Sequence, residues 1–367
     1  MRILSILLFT LLACGATAAP RQTSLGPVEV TAVAEGLDKP WAVAFLPEGG
    51  FLVTERGGVL LYFSSDGTRH AVQGVSEVRT RGQGGLLDVL VPRDFAVSRE
   101  IFLSYSTPQG REAGTAIGRG RLSEDGRKLT GFEQIFEMAR GSKGGRHFGS
   151  RLVEAPDGTI FVTVGERGDR PAAQDLGRVQ GSVLRIARDG TAPSDNPFVD
   201  RAGARPEIWS YGHRNPQGAA LDASGQLWAV EHGARGGDEV NRIRQGANFG
   251  WPVISYGTHY SGQTIGEGTQ KPGMEQPVHY WDPSIAPSGL AILKDPRMEE
   301  WRGDFLVGSL KLGLISRLEG QGDELVEAER LEWPETQRVR DVREAPDGSV
   351  WFISEGNGAI YRIDPAR

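Results

Sequence analysis

Leu152-Val153-Glu154-Ala155-Pro156-Asp157-Gly158-Thr159-Ile160-Phe161-Val162-Thr163-Val164 reads as a strand, a Pro-Asp-Gly turn and a second strand. Gly144-Gly145-Arg146-His147-Phe148-Gly149-Ser150-Arg151 runs directly into it, so a histidine bracketed by glycines precedes a hairpin. The same grammar recurs at 41–55, 86–105, 217–231, 288–308 and 342–354. Six apolar hairpins, spaced by roughly 40 to 70 residues, predict an all-β chain folded as a six-bladed β-propeller. Segments such as Val59-Leu60-Leu61-Tyr62-Phe63 and Ala359-Ile360-Tyr361-Arg362-Ile363 supply outer strands. Val28-Glu29-Val30-Thr31-Ala32-Val33 is expected to complete the last blade and close the ring, which removes exposed sheet edges. A β-sandwich or a pair of barrels is the competing architecture, but those folds space their turns more evenly and closely.

Composition agrees with this. The 51 glycines among 367 residues, spread between short apolar runs, suit many tight turns, and 14 Phe with 8 Trp suffice for a large core. A net charge of −6 gives no electrostatic reason to expect nucleic-acid binding. The single cysteine excludes an intramolecular disulfide framework and a cysteine-based metal site.

Residues 1–19 read as an export signal: Arg2, an apolar run at 3–12 too short to span a bilayer, then Ala16-Thr17-Ala18-Ala19 for cleavage. The alternative is a lipoprotein signal ending at Ala13, which would leave a lipid anchor on Cys14. Either way the mature chain, 20–367, is expected to be periplasmic or secreted as one propeller domain, with no membrane span. Two long polar insertions, 165–200 and 248–281, are expected to cap one end of the channel, the first with a helix-like or strand segment at 175–188.

Inner strands of a propeller line its axis, so residues just ahead of them face one cavity. That places Gln83, His147, Arg214, Asn215, Arg338 and Arg340 together, with Lys311 joining if its loop folds inward. Several cations aimed at one cavity need a neutralising partner. Either each pairs with a local acid, as Asp341 could, or the cavity takes a multiply anionic ligand, for which arginine's planar fork is suited. A Gly-rich acidic stretch, Glu231-His232-Gly233-Ala234-Arg235-Gly236-Gly237-Asp238-Glu239, carries the carboxylates and carbonyls that hold a hard cation, though its spacing is not that of an EF-hand.

Gly82-Gln83-Gly84-Gly85-Leu86-Leu87, His147-Phe148-Gly149, Glu207-Ile208-Trp209-Ser210-Tyr211-Gly212, Arg214-Asn215-Pro216-Gln217-Gly218 and Gly236-Gly237-Asp238-Glu239 give the chain its family resemblance. From residue 37 to the end it resembles the soluble quinoprotein sugar dehydrogenases, most closely the aldose sugar dehydrogenases. The resemblance implies oxidation of an aldose at its anomeric carbon to a lactone, by hydride transfer to pyrroloquinoline quinone (PQQ) in a calcium-dependent site. Electrons then pass to an acceptor, a quinone or a cytochrome, that the sequence does not name. By matching motif, Gln83, Arg214, Asn215, Tyr260, Lys311, Arg338 and Arg340 are implied as PQQ contacts. The carbonyls of Gly233 and Ala234 are implied as ligands of the calcium beside PQQ, and Glu239 with the carbonyl of Phe249 as ligands of a structural calcium. His147 is implied as the catalytic base, held by Glu166, with Arg214 polarising the quinone oxygen. Two positions depart from the family pattern: Ala234 stands where Pro is frequent, and Glu166 where Asp is frequent. A carboxylate beside His147 is expected to raise the imidazole pKa. Two rival functions are a calcium-dependent propeller lactonase or esterase, which a cationic axis disfavours, and a non-catalytic binding propeller, which needs neither His147 nor converging cations.

Overall fold

The computed structural model describes residues 19–366; the leader, Cys14 included, lies outside the described residues. Six antiparallel sheets form the blades of a ring, five of four strands and one of five. The chain is thus the six-bladed propeller that the repeats predict. The blades start, in chain order, with inner strands Pro40–Phe45, Leu86–Leu90, Leu152–Glu154, Pro216–Leu221, Pro287–Ile292 and Val339–Glu344. Gly26–Ala34 pairs with Ala359–Pro365, so the N-terminal segment closes the sixth blade as expected. One expectation is corrected. The stretch at 165–200 is not wholly an insertion between repeats: Ser182–Ile186 within it is the third strand of the third blade, preceded by a 3-10 turn at Arg170–Gln174. Ser182–Ile186 falls inside the helix-like or strand segment expected at 175–188, which is thus a strand.

The inner strands crowd around the axis. A Cβ on Gly218 would meet the carbonyl oxygen of Ser288 at 2.2 Å, and one on Gly289 would meet the Val342 nitrogen at 2.3 Å, so both positions are held to glycine by close backbone approach. Five of the six inner strands carry a bulge near their entry. A bulge inserts residues with no cross-strand partner and re-aims their side chains. Here the skipped residues include Trp41, Leu87, Gln217 and Arg340, and all four line the same axial cavity. Hydroxyls of the second strands take up the backbone groups involved. Thr54, Ser104 and Thr163 accept from Ala42, Asp88 and Arg151 N–H of their own blades. Each donates to the next blade, to the carbonyls of Leu87, Ser150 and Pro216. The apolar core fills the wedges between blades, with Trp41, Leu86 and Phe148 in one and Trp301, Val342 and Phe352 in another.

Midway along the axis sits a buried ionic floor. Arg151 bridges Asp88 (3.0 Å) and Asp341 (3.1 Å), and Arg343 bridges the same two carboxylates (3.1 and 3.0 Å). Two positive and two negative charges alternate, and Leu152 N–H donates to Asp88 at 2.7 Å, so the cluster is internally compensated. Asp341 is thereby spent on Arg151 and Arg343 and is not the partner of Arg338 or Arg340.

Candidate functional site

Above the floor opens a cavity of about 370 Å³. Gln83, Asn215, Lys311, Arg338 and Arg340 all contribute to its wall, so the loop of Lys311 does fold inward. It is pinned by Lys311 N–H to the Ile285 carbonyl (3.3 Å) and by Nζ to the Ser284 carbonyl (3.1 Å). Arg338 and Arg340 meet on a single carboxylate, that of Glu355, at 3.1 and 3.2 Å. Arg340 also donates to Gln217 at 3.0 Å and lies over Trp41. Burial, opposed by Glu355, pushes the Arg340 guanidinium down to about 10. An acid is therefore present, as the first reading of the cations expects, but one carboxylate serves two arginines, with Lys311 and Arg56 on the same wall.

His147 stands at the rim, in the left-handed region at φ 53°, which histidine tolerates better than most residues. Its N–H donates to the Gln83 side chain at 2.6 Å. Its ring Nδ1 contacts Glu166, itself 1% exposed. The loop lies directly on the end of the hairpin, because a Cβ on Gly165 would meet the His147 carbonyl oxygen at 2.2 Å. Glu166 N–H donates to the Arg214 carbonyl at 2.9 Å, which couples the two segments. The expected direction of the imidazole shift is reversed. Burial lowers its pKa below 6.5, the Glu166 contact raises it, and the guanidiniums of Arg214 and Arg146 lower it further. A neutral ring with Nδ1 committed to Glu166 leaves Nε2 to take a proton.

Arg214 extends from the same wall without lining the main cavity. It is 6% exposed, donates to the His232 carbonyl at 3.2 Å, stacks over Trp251, and keeps a buried Nε with no partner among the described residues. Burial lowers its pKa, and Tyr260, mostly exposed, stands beside its guanidinium. Asn215 is held through its Oδ1, which accepts from Gly149 N–H (3.3 Å) and Gln217 (3.2 Å). Below them lies a buried relay. Ser210 bonds His213 at 2.9 Å, His213 bonds Glu231 at 2.7 Å, and Glu231 accepts from the N–H groups of Arg214 (2.7 Å) and Asn215 (3.3 Å).

Glu231 and Glu239 are direct cross-strand partners, an arrangement that repels when both are ionised. Burial and Glu231 push the Glu239 carboxyl up to about 8. Asn241 donates to both carboxylates (3.0 and 3.1 Å), while its buried Oδ1 has no partner among the described residues. Gly233, Glu239 and Phe249 border one small space, whereas Ala234 packs with Ala173, Trp251 and Ile265. Asp238, fully buried, braces the loop by accepting from Gly233 N–H at 2.8 Å and from Ala286 N–H at 2.8 Å. Among the described residues no three His, Cys, Asp or Glu side chains cluster as a metal site. A cation here would rest on Glu239, an amide oxygen and carbonyls, which is hard-cation chemistry.

Sequence reasoning missed Trp41, Gln217, Glu355 and His232, all of which line the cavity. The signal for the first two was a proline opening an inner strand and followed by one extra residue, as in Pro40-Trp41 and Pro216-Gln217.

The glucose/sorbosone dehydrogenase family model matches residues 37–362. The aldose sugar dehydrogenase YliI of Escherichia coli is 44% identical over 345 residues, covering 92% of this chain and 93% of that one. The apo-form structure of the soluble aldose sugar dehydrogenase from Escherichia coli superposes with a TM-score of 0.89 at 42% identity, covering 92% of this chain and all of the other. The PQQ-bound form of the aldose sugar dehydrogenase from Streptomyces coelicolor gives 0.77 at 27% identity, covering 94% and 99%. This chain therefore belongs to the glucose/sorbosone dehydrogenase family and is a sugar dehydrogenase.

Proposed function

We propose that the protein oxidises the anomeric carbon of an aldose to a lactone, with PQQ held in the axial cavity and calcium beside it. The observation that carries this reading is the convergence of Lys311, Arg338 and Arg340 on one cavity with a single carboxylate, Glu355, next to the His147–Glu166 pair. PQQ bears three carboxylates and supplies, when bound, the acceptor for a hydride. Lys311, Arg338 and Arg340 would hold its carboxylates, and Gln83, Asn215, Tyr260 and the unpartnered Nε of Arg214 would complete the cradle. Calcium would rest on the carbonyls of Gly233 and Ala234, and a structural calcium on Glu239 and the carbonyl of Phe249. The unpartnered Asn241 oxygen and the opposed Glu231 and Glu239 carboxylates support a cation there.

His147 takes the proton of the anomeric hydroxyl at Nε2, and Glu166 holds the ring through Nδ1 and stabilises the imidazolium that forms. Because the resting pKa is depressed, the base is already neutral in mildly acidic solution. Turnover should therefore rise with pH along an acid limb centred below 6.5 and be flat through neutrality. Glu166→Gln removes a contribution that raises the pKa, so the limb should move to lower pH while the rate falls. A limb centred above 6.5 in the wild type would contradict the burial argument.

Metal-free protein should melt at a lower temperature than protein with calcium, because a ligand that binds only the native state stabilises it. Glu239→Gln should reduce the shift in melting that calcium gives, by the share of the structural site, and should leave the metal-free form no less stable than wild type, since it removes one of two opposed carboxylates. An unchanged response to calcium in that variant would take Glu239 out of the metal site. The direct test of the whole reading is titration of PQQ and calcium into purified apo protein. A bound-quinone absorption spectrum that aldose bleaches is expected, and its absence would refute the assignment. The leader at 1–19 carries a further proposal, that the enzyme works outside the cytoplasm, and N-terminal sequencing of the mature chain checks it.

A further inference from the structure

The protein is acidic overall, at −6, and across most of its surface arginines are matched to carboxylates, as in Arg188 with Asp94 and Glu154 or Arg317 with Asp304 and Glu329. Cations without a carboxylate partner are found elsewhere too, exposed Arg69, Lys128, Arg201 and Lys294 among them, but two linked segments hold a run of them. Segments 78–85 and 139–147 carry Arg79, Arg81, Arg140, Lys143 and Arg146 and contain no Asp or Glu. None of these five cations has a carboxylate within 4.0 Å among the described residues. All are exposed except Arg79, which is half-buried.

The two segments form one rigid lip. Gln83 N–H donates to the Gly145 carbonyl at 2.8 Å, and Arg79 N–H to the Ser106 carbonyl at 2.7 Å. Ala113 and Ser142 exchange both backbone bonds, at 3.1 and 3.0 Å. Arg167, buried over the Phe148 ring, donates to the Arg146 carbonyl at 2.6 Å. The Arg81 side chain lies against Gly145, and the Arg146 side chain against Gly144 and Gly168. This lip ends at His147 and at Gln83, which lines the cavity, so the two segments border one side of the mouth and their cations do not belong to the cavity wall. Holding like charges together costs free energy unless something negative answers them.

An aldose and its lactone are both neutral, so neither substrate nor product needs these charges. PQQ is anionic, but its carboxylates are assigned to Lys311, Arg338 and Arg340 inside the cavity; the participant left for the lip is the electron acceptor, which must reach the same mouth. Oxidation of the sugar releases two electrons and two protons; two molecules of a one-electron carrier take one electron each, and the protons pass to solvent. We propose that the lip formed by 78–85 and 139–147 is the docking surface for an acidic one-electron carrier protein. The proposal rests on the dehydrogenase reading given above.

The test uses the PQQ- and calcium-loaded enzyme with saturating aldose and two acceptors, a purified acidic c-type cytochrome and a small uncharged quinone dye. Ionic strength is varied from roughly 10 mM to 0.5 M, over which the Debye length shrinks from about 30 Å to a few Å. Steered association is worth about 10–10³ in on-rate at low salt. The wild-type rate with the cytochrome should accordingly fall at least about tenfold across the range. Arg81→Glu/Lys143→Glu should be slow with the cytochrome at low salt and should not slow further as salt is added. Both proteins should reduce the neutral dye equally, which also certifies that the variant is folded and loaded. A salt-independent wild-type rate with the cytochrome, or a variant as fast as wild type, overturns the docking proposal while normal dye reduction leaves the dehydrogenase reading intact. A variant altered only in its KM for an anionic sugar overturns it too, by assigning the lip to substrate. If the loaded wild type reduces neither acceptor, the dehydrogenase reading fails and the docking proposal with it.

Discussion

His147→Gln is expected to lower kcat for aldose oxidation by about 10²–10⁴, the usual worth of a general base, while leaving PQQ affinity unchanged. The separation follows from the geometry. The contact that His147 makes with the cavity wall is through its backbone N–H, to Gln83 at 2.6 Å, and survives any side-chain change. The ring contacts Glu166 through Nδ1, and in the proposed mechanism Nε2 faces the substrate. Glutamine cannot accept a proton near neutral pH, so the acid limb of the pH profile should vanish along with the rate. His147→Asn provides a second variant, because asparagine is at ease at the φ of 53° that this position requires. Steady-state turnover with a small acceptor, measured beside a PQQ titration, decides the matter. A variant within about threefold of wild type would remove His147 from the chemistry, and one that no longer binds PQQ would make it a cofactor ligand.

The second large effect is on cofactor affinity. Arg338→Ala/Arg340→Ala should weaken PQQ binding by about 3 kcal/mol or more, at roughly 1.5–3 kcal/mol for each charged hydrogen bond, which is a factor of a hundred or more in Kd. Part of that loss has a specific origin. With both guanidiniums gone, Glu355 is left facing the cavity without its partners and repels an anionic ligand. Adding Glu355→Gln to the double variant should therefore recover some affinity. If the triple variant binds no better than the double, Glu355 takes no part in setting the charge of the cavity. If the double variant binds PQQ as wild type does, the two arginines serve the fold alone.

What could be read from the sequence follows from what is local. Each hairpin announces itself by a turn and two apolar runs, so the six blades and the closing strand at Gly26–Ala34 were legible. Ser182–Ile186 falls in the helix-like or strand segment expected at 175–188, and its type stayed open because a fully buried five-residue strand has no alternation to betray it. Partners were not legible. Asp341 lies beside Arg340 in the chain, yet the bulge between Val339 and Asp341 sends the two side chains apart, Asp341 to the floor and Arg340 to the cavity. Glu355, which answers Arg340, comes from the end of the neighbouring strand. The direction of the His147 shift was misjudged for a related reason: its carboxylate partner is visible in the sequence, but the burial that outweighs it belongs to the assembled ring. The basic lip, by contrast, was present in the sequence as two acid-free loops and became meaningful only once Gln83 and Gly145 were seen to join them.

The ionic floor of Asp88, Arg151, Asp341 and Arg343 also bears on the order of events in the proposed reaction. It stands between the upper cavity and the hollow at the opposite end of the axis, which is lined by Val43, Val89 and Arg343, so in the proposed reaction the chamber would be entered through one doorway. In that proposed reaction sugar, lactone and electron carrier would all share the threshold, so the traffic would be one at a time. A room with a single door favours a two-act kinetic scheme, in which lactone departs before the carrier arrives. It also makes each caller an obstruction to the other: excess sugar should slow the carrier's half of the cycle, and excess carrier the sugar's.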